Sequence, residues 1–516
     1  MSDALRPDLR PTSLTDLCAA LAAGAVHALD VPSLADVASP DAVIVTGITH
    51  DSRSVLPGDL YLALPGRTTH GAVFVDQAVA AGAVAVVTDT AGARLIGNAP
   101  VPVLVVADPR RISGPISAAV YAWPARSLQL LGVTGTNGKT TVAAMVESGL
   151  RAAGLRAGAI GTTGVHLDAE RRPLPRTTPE AADLQAILGR MRDRGTQAVV
   201  MEASSIAVRE HRLDGFRFDV MGFTNLTQDH LDYHSDMEDY FASKAQLFDE
   251  RHSSIGVVGI DDAYGRRLAR QATVPVLTWS VHDTQADWHA ARVESSVTGS
   301  EVDVLGPRGE RTWLKVPLPG EYNVANALCA LGILRTAGIG ADAAARGIAA
   351  VHVPGRMEVV PAPVGALRAV VGIVDYAHTP DAITRAVGAV RAQGTGRVIV
   401  VIGAGGDRDP GKRPLMGRAA ARLADVLIVT DDNPRSEEPS IIRAAVLRGA
   451  LDEASRCAVI EQGGRAEAIG RAVDLAGDGD VVLVLGKGHE TGQEVAGVVT
   501  PFDDVAVLTR ALRERT

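Results

Sequence analysis

The chain has 516 residues, enough for two to four domains of ordinary size, which excludes a single small binding module. Its net charge is −9, it has no long block of Lys and Arg, and only 3% of its residues are aromatic, so we expect no nucleic acid partner. No run approaches the ~18 apolar residues of a membrane span, and the first residues lack the apolar core of a signal peptide. We therefore expect no membrane insertion and a cytoplasmic location.

Residues 1–124 are predicted to form a small α/β domain. A helix is expected to start after Ser13, to carry its apolar residues on one face, and to stop at Gly24. Residues 47–71 are strand-like and contain two Pro-Gly turns. Residues 83–87 form an apolar run that is typical of a buried strand.

Residues 125–351 are predicted to form a central domain in which strands alternate with helices. The apolar runs expected to be strands are residues 128–134, 198–202, 219–224, 255–259 and 276–279. A helix is expected over residues 140–153. This alternation is typical of a parallel sheet covered by crossover helices.

Residues 352–516 repeat the alternation and are predicted to form a second doubly wound, Rossmann-like domain. Its expected strands are residues 398–402, 426–429 and 481–485, and its expected helices are residues 413–423 and 467–475. The predicted fold class is therefore α/β in three domains: a small N-terminal domain, a central P-loop domain with a parallel sheet, and a C-terminal Rossmann-like domain.

The sequence LLGVTGTNGKTT, residues 130–141, predicts a phosphate-binding turn. A strand that enters a Gly-rich loop and then a helix points several backbone N–H groups and the positive helix end at one place. Lys139 adds a charge for the β- and γ-phosphates, and the Thr140 hydroxyl can bind Mg²⁺. The strict P-loop pattern has Gly where this chain has Val133. We interpret the turn as a nucleoside triphosphate site rather than a Gly-rich turn with a solvated lysine.

Six ordered motifs resemble those of the Mur ligases, the ATP-dependent amide-forming enzymes of peptidoglycan precursor synthesis. They are TGTNGKTT (134–141), MEASS (201–205), TNLTQDHLDYH (224–234), LPGEYNVANALCA (318–330), PGRME (354–358) and VDYAHTPDAI (374–383). The resemblance covers nearly the whole chain. It implies a ligase that transfers the γ-phosphoryl group of ATP to a carboxylate, after which an amine attacks the acyl phosphate and phosphate leaves.

The resemblance assigns two sets of residues to ATP and Mg²⁺. The expected ATP-binding residues are Gly135, Thr136, Asn137, Gly138, Lys139, Thr140, Thr141, Asn323, Asn326, Arg356 and Asp375. The expected Mg²⁺ ligands are Thr140, Glu202, His230 and Lys244, the last as a carbamate, and the expected catalytic residues are Lys139, Lys244, Glu202 and His230. Without the resemblance, His230 could belong to a solvated polar turn and Lys244 to the exposed face of a helix.

The acid substrate is expected to bind the first two domains. Residues 49–67 resemble the uridine-diphosphate segment of Mur ligases that add the third residue of the stem peptide. By that match, UDP-N-acetylmuramoyl-L-alanyl-D-glutamate would contact Ser52, Arg67, Thr68, Thr177, Thr178, Ser204 and Arg212. On the residues alone, Thr177 and Thr178 fit equally well as the capped start of a helix.

The amine substrate is expected to bind the third domain, around DDNPRSEEP at residues 431–439. A carboxylate, an amide and a guanidinium in one Pro-containing turn can pair with the ammonium and carboxylate groups of a diamino diacid. The resemblance gives meso-diaminopimelate to Arg408, Asp432, Asn433, Arg435, Gly486 and Glu490. Lysine-adding relatives lack the arginine. A surface turn with a salt bridge at its rim is the simpler alternative.

Two positions depart from the family pattern. Ile206 stands where the family has His, with His211 as a candidate substitute, and Tyr322 stands where the family has Phe. The expected function is the addition of meso-diaminopimelate to UDP-N-acetylmuramoyl-L-alanyl-D-glutamate, with ATP and Mg²⁺ as cofactors and a monomeric protein. The alternatives are a lysine-adding or folylpolyglutamate-type synthetase and an ATP-binding regulatory protein.

Overall fold

The structure is a computed structural model that describes residues 5–8, 10–24, 32–35, 37–66, 68–229, 233–360, 370–394 and 396–514. The chain divides into two compact units. The first comprises Met1–His289, Leu305–Thr312 and Asn326–Ile348, and the second comprises Ala290–Val304, Trp313–Ala325 and Ala349–Thr516. The expected domain boundaries at residues 124 and 351 stay a prediction.

The N-terminal part of the first unit is built on a small parallel sheet. Its elements are β1 (Thr12–Ser13), α1 (Leu14–Gly24), β2 (Ile44–Val45), β3 (Gly47–Thr49), β4 (Asp59–Leu62), α2 (Val75–Ala80), β5 (Ala85–Thr88), α3 (Thr90–Ile96), β6 (Val103–Val105) and α4 (Pro109–Val120). Strands β3 to β6 pair in chain order and in parallel. The predicted start of α1 is confirmed, because the Asp16 N–H donates to Ser13 Oγ at 3.0 Å.

A long sheet follows, and its parallel strands carry the predicted nucleotide loop. The elements in chain order are β7 (Gln129–Thr134), α5 (Lys139–Ala152), β8 (Ala157–Gly161), β9 (Gly164–Leu167), β10 (Glu170–Arg172), α6 (Ala181–Asp193), β11 (Ala198–Glu202), α7 (Ser205–Arg209), β12 (Phe218–Phe223), α8 (Met237–Ala245), β13 (Ser253–Gly259), α9 (Ala263–Gln271), β14 (Val276–Ser280), β15 (Trp288–Ser296), β16 (Gly299–Leu305), β17 (Arg311–Val316), α10 (Glu321–Thr336) and α11 (Ala341–Ala349). The strand order is β10-β9-β8-β11-β7-β12-β13-β14-β15-β16-β17. From β8 to β15, neighbouring strands are parallel.

The rest of the second unit is doubly wound. Its elements are β18 (Glu358–Val360), β19 (Val371–Asp375), α12 (Pro380–Arg391), β20 (Val398–Ile402), α13 (Lys412–Leu423), β21 (Val426–Val429), α14 (Pro439–Leu451), β22 (Ala458–Glu461), α15 (Arg465–Leu475), β23 (Val481–Leu485), β24 (Gly492–Val495), β25 (Val498–Pro501) and α16 (Asp504–Glu514). The sheet order is β18-β19-β23-β20-β21-β22, and all but β18 are parallel. Each face of this sheet contributes to a separate apolar core.

The predicted alternation of strands and helices is confirmed in both parallel sheets. The five central strands and the three C-terminal strands lie within two residues of the expected positions. Among the strands that the sequence patterns missed, β10 and β15 carry charged, exposed residues that interrupt any continuous apolar run. None of the described helices is long and apolar enough to cross a bilayer.

Arg465 and Asp504 form an ion pair whose side chains are both fully buried in the second unit. Nε and Nη2 of Arg465 donate to the two oxygens of Asp504, each at 2.7 Å. We expect Arg465→Met to lower the free energy of unfolding by about 3–5 kcal/mol, since Asp504 would remain as a buried charge without its partner. Urea unfolding followed by circular dichroism measures the loss.

The exposed pair of Arg267 and Glu238 provides the control. Arg267→Met should cost less than about 1 kcal/mol, because water already screens that pair. Replacing both members of the buried pair, as Arg465→Met with Asp504→Leu, should restore most of the stability. Equal losses in the two single variants would contradict this account.

Candidate active site

Three neighbouring parallel strands bring the nucleotide-loop residues together. Strand β7 lies between β11 and β12, and the register pairs Glu202, the last residue of β11, with Val133. Thr224 follows β12 directly. Because parallel strands end at the same edge of a sheet, the loop of residues 135–138 leaves β7 between Glu202 and Thr224. Helix α5 then begins at Lys139, as the phosphate-binding interpretation requires.

Two positions of the loop require glycine. Gly135 and Gly138 have φ angles of +143° and +90°, in the region that L side chains rarely adopt. A Cβ on Gly135 would lie 1.9 Å from Thr224 Oγ1, and a Cβ on Gly138 would lie 2.2 Å from Asn326 Oδ1. The predicted ATP-binding residue Asn326 therefore packs directly against the loop.

The segment of residues 224–227 holds the loop in place by hydrogen bonds. The Thr136 N–H donates to the Asn225 carbonyl at 2.9 Å, and the Asn137 N–H donates to Asn225 Oδ1 at 3.1 Å. Thr224 Oγ1 donates to the Asn137 carbonyl at 2.6 Å. The prediction from the sequence had used this motif only for His230. The signal for the missed residues is their position directly after a strand that borders the loop.

Two lysines converge on one loop carbonyl. Lys139 Nζ donates to the carbonyls of Gly135 and Thr136, each at 2.9 Å, and Lys244 Nζ donates to the same Gly135 carbonyl at 2.9 Å. Lys244 is 1% exposed and its Nζ lies 4.7 Å from the centroid of the Tyr240 ring. Burial, aided by repulsion from Lys139, holds the pKa of Lys244 well below its usual range. The alternative that Lys244 is a solvated helix lysine is therefore wrong.

The Glu202 carboxylate is 1% exposed and accepts hydrogen bonds from uncharged groups. The Thr162 N–H donates to Oε1 at 2.8 Å, while the hydroxyls of Thr162 and Thr140 donate to Oε2 at 3.2 and 3.1 Å. Amide and hydroxyl donors leave the charge of a buried carboxylate uncompensated, so this site fits a bound divalent cation. Thr140 and Glu202, both expected Mg²⁺ ligands, lie together.

Four residues expected to bind the acid lie in one hydrogen-bonded network, namely Thr177, Thr178, Ser204 and Arg212. Thr178 Oγ1 donates to the backbone carbonyl of Glu202 at 2.9 Å and receives the Ser204 N–H at 3.2 Å. Thr162 Oγ1, which bonds Glu202, also lies 3.1 Å from Thr177 Oγ1. Thr162, which the prediction missed, thus links the expected cation site to the expected acid site.

The alternative interpretation of Thr177 and Thr178 as helix caps is wrong. Helix α6 begins at Ala181 with Glu180 at the N-cap position and no side-chain cap bond. Arg212 donates to the Thr178 carbonyl at 3.3 Å and pairs with Glu180 at 3.0 Å.

The remaining predicted residues of the first unit are more dispersed. Ser52 is buried, and its hydroxyl donates a hydrogen bond to Gln77 Oε1 at 3.1 Å. Thr68 is exposed. Arg67 and His230 lie outside the residues that the structure describes, so their roles stay predictions. His211 is the candidate substitute for the family histidine. Its Nδ1 lies 2.9 Å from Asp214 Oδ2.

In the second unit, three adjacent strands bring the expected amine-binding residues to one edge. Strands β23, β20 and β21 are neighbours in the parallel sheet, and the loops that follow them carry these residues, which are Arg408, Asp432, Asn433, Arg435, Gly486 and Glu490. Because the carboxyl ends of the strands coincide, residues far apart in the chain converge there.

Hydrogen bonds join these loops. Asn433 Nδ2 donates to Glu490 Oε2 at 2.7 Å, and the Gly406 N–H donates to the Asn433 carbonyl at 2.9 Å. Arg435 Nη1 donates to the Gly406 carbonyl at 2.7 Å. Arg408 lies two residues beyond Gly406 and is exposed. The turn of residues 431–439 is thus joined by hydrogen bonds to two neighbouring loops and is not an isolated surface turn.

Gly486 has a structural reason to be glycine. Its φ is +118°, and a Cβ there would lie 2.6 Å from Asp432 Oδ2. The absence of a side chain therefore leaves room for the Asp432 carboxylate, which is 8% exposed.

Two expected ATP-binding residues of the second unit, Arg356 and Asp375, lie near each other. Asp375 accepts the N–H groups of Met357 and Ala377, each at 2.8 Å, and burial raises the pKa of its carboxyl although Arg356 opposes the shift. The Arg356 guanidinium lies 4.5 Å from the centroid of the Tyr376 ring.

Asn323 lies on α10, and its Nδ2 donates to the Pro319 carbonyl at 2.8 Å. Asn326 follows one helical turn later.

Three family models match consecutive parts of the chain. They are "Mur ligase family, catalytic domain" over residues 44–121, "Mur ligase middle domain" over residues 133–334, and "Mur ligase, glutamate ligase domain" over residues 355–488. The chain belongs to the Mur ligase family. The predicted three-domain α/β fold is confirmed, and with it the resemblance carried by the six motifs.

Relatives of this Mur ligase cover almost its entire length. A Streptomyces coelicolor protein named UDP-N-acetylmuramoyl-L-alanyl-D-glutamate--2,6-diaminopimelate ligase is 50% identical over 499 residues, which are 95% of this chain and 97% of that protein. A Corynebacterium glutamicum protein of the same name is 45% identical over 482 residues, covering 91% of this chain and 92% of that protein.

Solved structures agree with the sequence relatives. A structure of a ligase with the same name is 30% identical, has a TM-score of 0.70, and covers 98% of this Mur ligase and 99% of that chain. A structure of a folylpolyglutamate synthase from Mycobacterium tuberculosis is 19% identical and has a TM-score of 0.58. The match covers 78% of this chain and 94% of the synthase chain. The synthase shares the fold.

Proposed function

We propose that this Mur ligase joins meso-diaminopimelate to the D-glutamate of UDP-N-acetylmuramoyl-L-alanyl-D-glutamate, with cleavage of ATP to ADP and phosphate. The 50% identity to a ligase of that name, over 95% of the chain, carries the proposal. The Asp432 to Arg435 turn supports it, because a guanidinium suits the second carboxylate that distinguishes diaminopimelate from lysine. The monomeric state and the cytoplasmic location stay predictions.

The first step is transfer of the γ-phosphoryl group to the substrate carboxylate. A carboxylate is a poor electrophile, whereas an acyl phosphate has a good leaving group. Lys139 and the N–H groups of the glycine loop stabilise the charge on the transferred phosphoryl group. The Thr177, Thr178 and Ser204 network, linked through Thr178 to the Glu202 backbone, orients the acid beside the loop.

Mg²⁺ would be held by Thr140, Glu202, His230 and the carbamate of Lys244. When bound, Mg²⁺ would neutralise part of the negative charge of the ATP phosphates. The buried Glu202 carboxylate, with its uncharged hydrogen-bond donors, fits this assignment.

The chemistry of its surroundings supports a carbamate on Lys244. Burial favours the neutral amine, and a neutral amine adds CO₂ to give a carbamate anion and a proton. The reaction replaces the neutral amine beside Lys139 with an anion that can bind Mg²⁺.

The second step is attack of the diaminopimelate amine on the acyl phosphate. Glu490 and Asp432 supply carboxylates for ammonium groups, and Asn433 and Arg435 supply donors for carboxylates. Attack by the uncharged amine forms the C–N bond and breaks the bond to phosphate, and the amine loses a proton.

Lys139→Ala should lower the turnover number about 100-fold or more, because the γ-phosphoryl group loses its main counter-charge. The assay is release of phosphate in the presence of ATP, Mg²⁺, the UDP-linked acid and meso-diaminopimelate, with mass spectrometry of the product. Lys315→Ala, at an exposed strand lysine, is the control and should retain full activity. Phosphate release by the wild type without the acid or the amine would favour a regulatory ATPase and overturn the proposed function.

Arg435→Lys should reduce the use of diaminopimelate about 10- to 100-fold in kcat/KM, since a point charge cannot replace the two-pronged guanidinium, while the KM for ATP should stay within about twofold. A competition between diaminopimelate isomers and lysine, read by product mass, measures the selectivity. Arg422→Lys, at an exposed ion pair with Glu453, is the matched control. Equal losses for ATP and diaminopimelate would contradict the pocket assignment.

Incubation with ¹³C-bicarbonate should give one carbamate carbon signal by NMR in the wild type, because the neutral Lys244 amine adds CO₂. Lys244→Met should lack the signal and lose activity, whereas Lys315→Met should keep both. A wild type that is active without the signal would refute the carbamate.

A further inference from the structure

Lys487 is a fully buried lysine that the predicted site does not include. It follows β23 directly, between Gly486 and Gly488, and is 0% exposed. Lysine is almost never fully buried unless its ammonium is paired, because removing that charge from water is costly. The partners of Lys487 therefore indicate why the chain retains it.

Both hydrogen bonds of the Lys487 ammonium go to residues expected to bind the amine substrate. Nζ donates to Asn433 Oδ1 at 2.9 Å and to Glu490 Oε2 at 3.1 Å. Asn433 lies 54 residues earlier in the chain, on the loop after β21. One ammonium thus connects the loops that follow β21 and β23.

These contacts fix the orientation of the Asn433 amide. Its Oδ1 accepts from Lys487 Nζ and from the Glu494 N–H at 3.0 Å, and its Nδ2 donates to Glu490 Oε2 at 2.7 Å. A flipped amide would direct its N–H₂ group at two donors and its oxygen at a carboxylate. With Oδ1 occupied, Asn433 has one N–H left to offer, so it can donate to a ligand carboxylate but not accept from a ligand ammonium.

The same contacts orient Glu490. Its Oε2 accepts from both Lys487 and Asn433, which holds that oxygen in place. The Glu490 side chain is 35% exposed, so part of it faces solvent and can accept from a ligand ammonium. The pocket therefore offers a donor and an acceptor in fixed positions, which matches the zwitterionic end of an amino acid.

We propose that Lys487 is a positioning residue for the amino acid substrate, acting through Asn433 and Glu490. The proposal rests on the proposed function, since it assigns these two residues to substrate binding. It differs from a purely structural role because its effect is confined to recognition of the amino acid.

The test is a kinetic comparison of Lys487→Met with the control Lys315→Met. Lys487→Met should raise the KM for meso-diaminopimelate about tenfold or more, the size expected for loss of charged hydrogen bonds. The KM values for ATP and the UDP-linked acid should stay within about twofold, and kcat within about threefold. An unchanged KM for the amino acid, or equal rises for all three substrates, would overturn the proposal.

A double-mutant cycle with Asn433→Ala separates positioning from general stability. If Lys487 acts through Asn433, Lys487→Met should raise the KM much less in the Asn433→Ala background than in the wild type. A rise in KM by the same factor in both backgrounds would overturn the proposal. If Lys487→Met does not fold, Lys487→Gln, which keeps an N–H donor without the charge, takes its place with an expected rise of about threefold or more.

The wild type distinguishes failure of this proposal from failure of the proposed function. Product formed with another amino acid, and none with diaminopimelate, would refute the proposed function. The Lys487 comparison would then be made on the KM of the amino acid that is incorporated. Normal use of diaminopimelate together with an unaffected Lys487→Met variant would refute only the positioning role.

Discussion

Parallel pairing of β7 with β11 and β12 is the constraint on which the nucleotide site depends. It places the end of β11, with Glu202, and the start of the segment after β12, with Thr224, on either side of the glycine loop. The loop is thereby enclosed by groups that can bind it, and its two positive φ angles are held by neighbours too close for any Cβ. The same arrangement recurs in the second unit, where β23, β20 and β21 end together beside the residues expected to bind the amino acid.

Ionisable side chains are buried at both sites. Lys244 and Glu202 near the glycine loop, and Lys487 in the second unit, are each at most 1% exposed. Such groups cost folding free energy unless partners compensate them. Buried partners also cannot rotate freely, so a side chain held this way keeps one orientation. At these positions, burial lowers the stability of the fold and at the same time fixes the geometry of the side chains.

Relatives with the same fold use different substrates, so the fold alone does not define the reaction. The folylpolyglutamate synthase shares the architecture at 19% identity, whereas the diaminopimelate ligases are 45 and 50% identical. Specificity must therefore lie in a few side chains on the loops after the strands. We expect Arg435 to be such a residue, and its guanidinium donates to the Gly406 carbonyl of a neighbouring loop.

The sequence by itself determined the parallel strands, the glycine loop and the family, because continuous apolar runs and ordered motifs are local signals. It named Lys139, Thr140, Glu202 and Lys244, yet it could not distinguish a buried Lys244 from a solvated one, since burial depends on what packs against the helix. Only the tertiary structure brought Thr162 to Glu202, Asn225 to the glycine loop and Lys487 to Asn433. Those contacts join residues tens of positions apart, and sheet register, which no local pattern encodes, decides which of them meet.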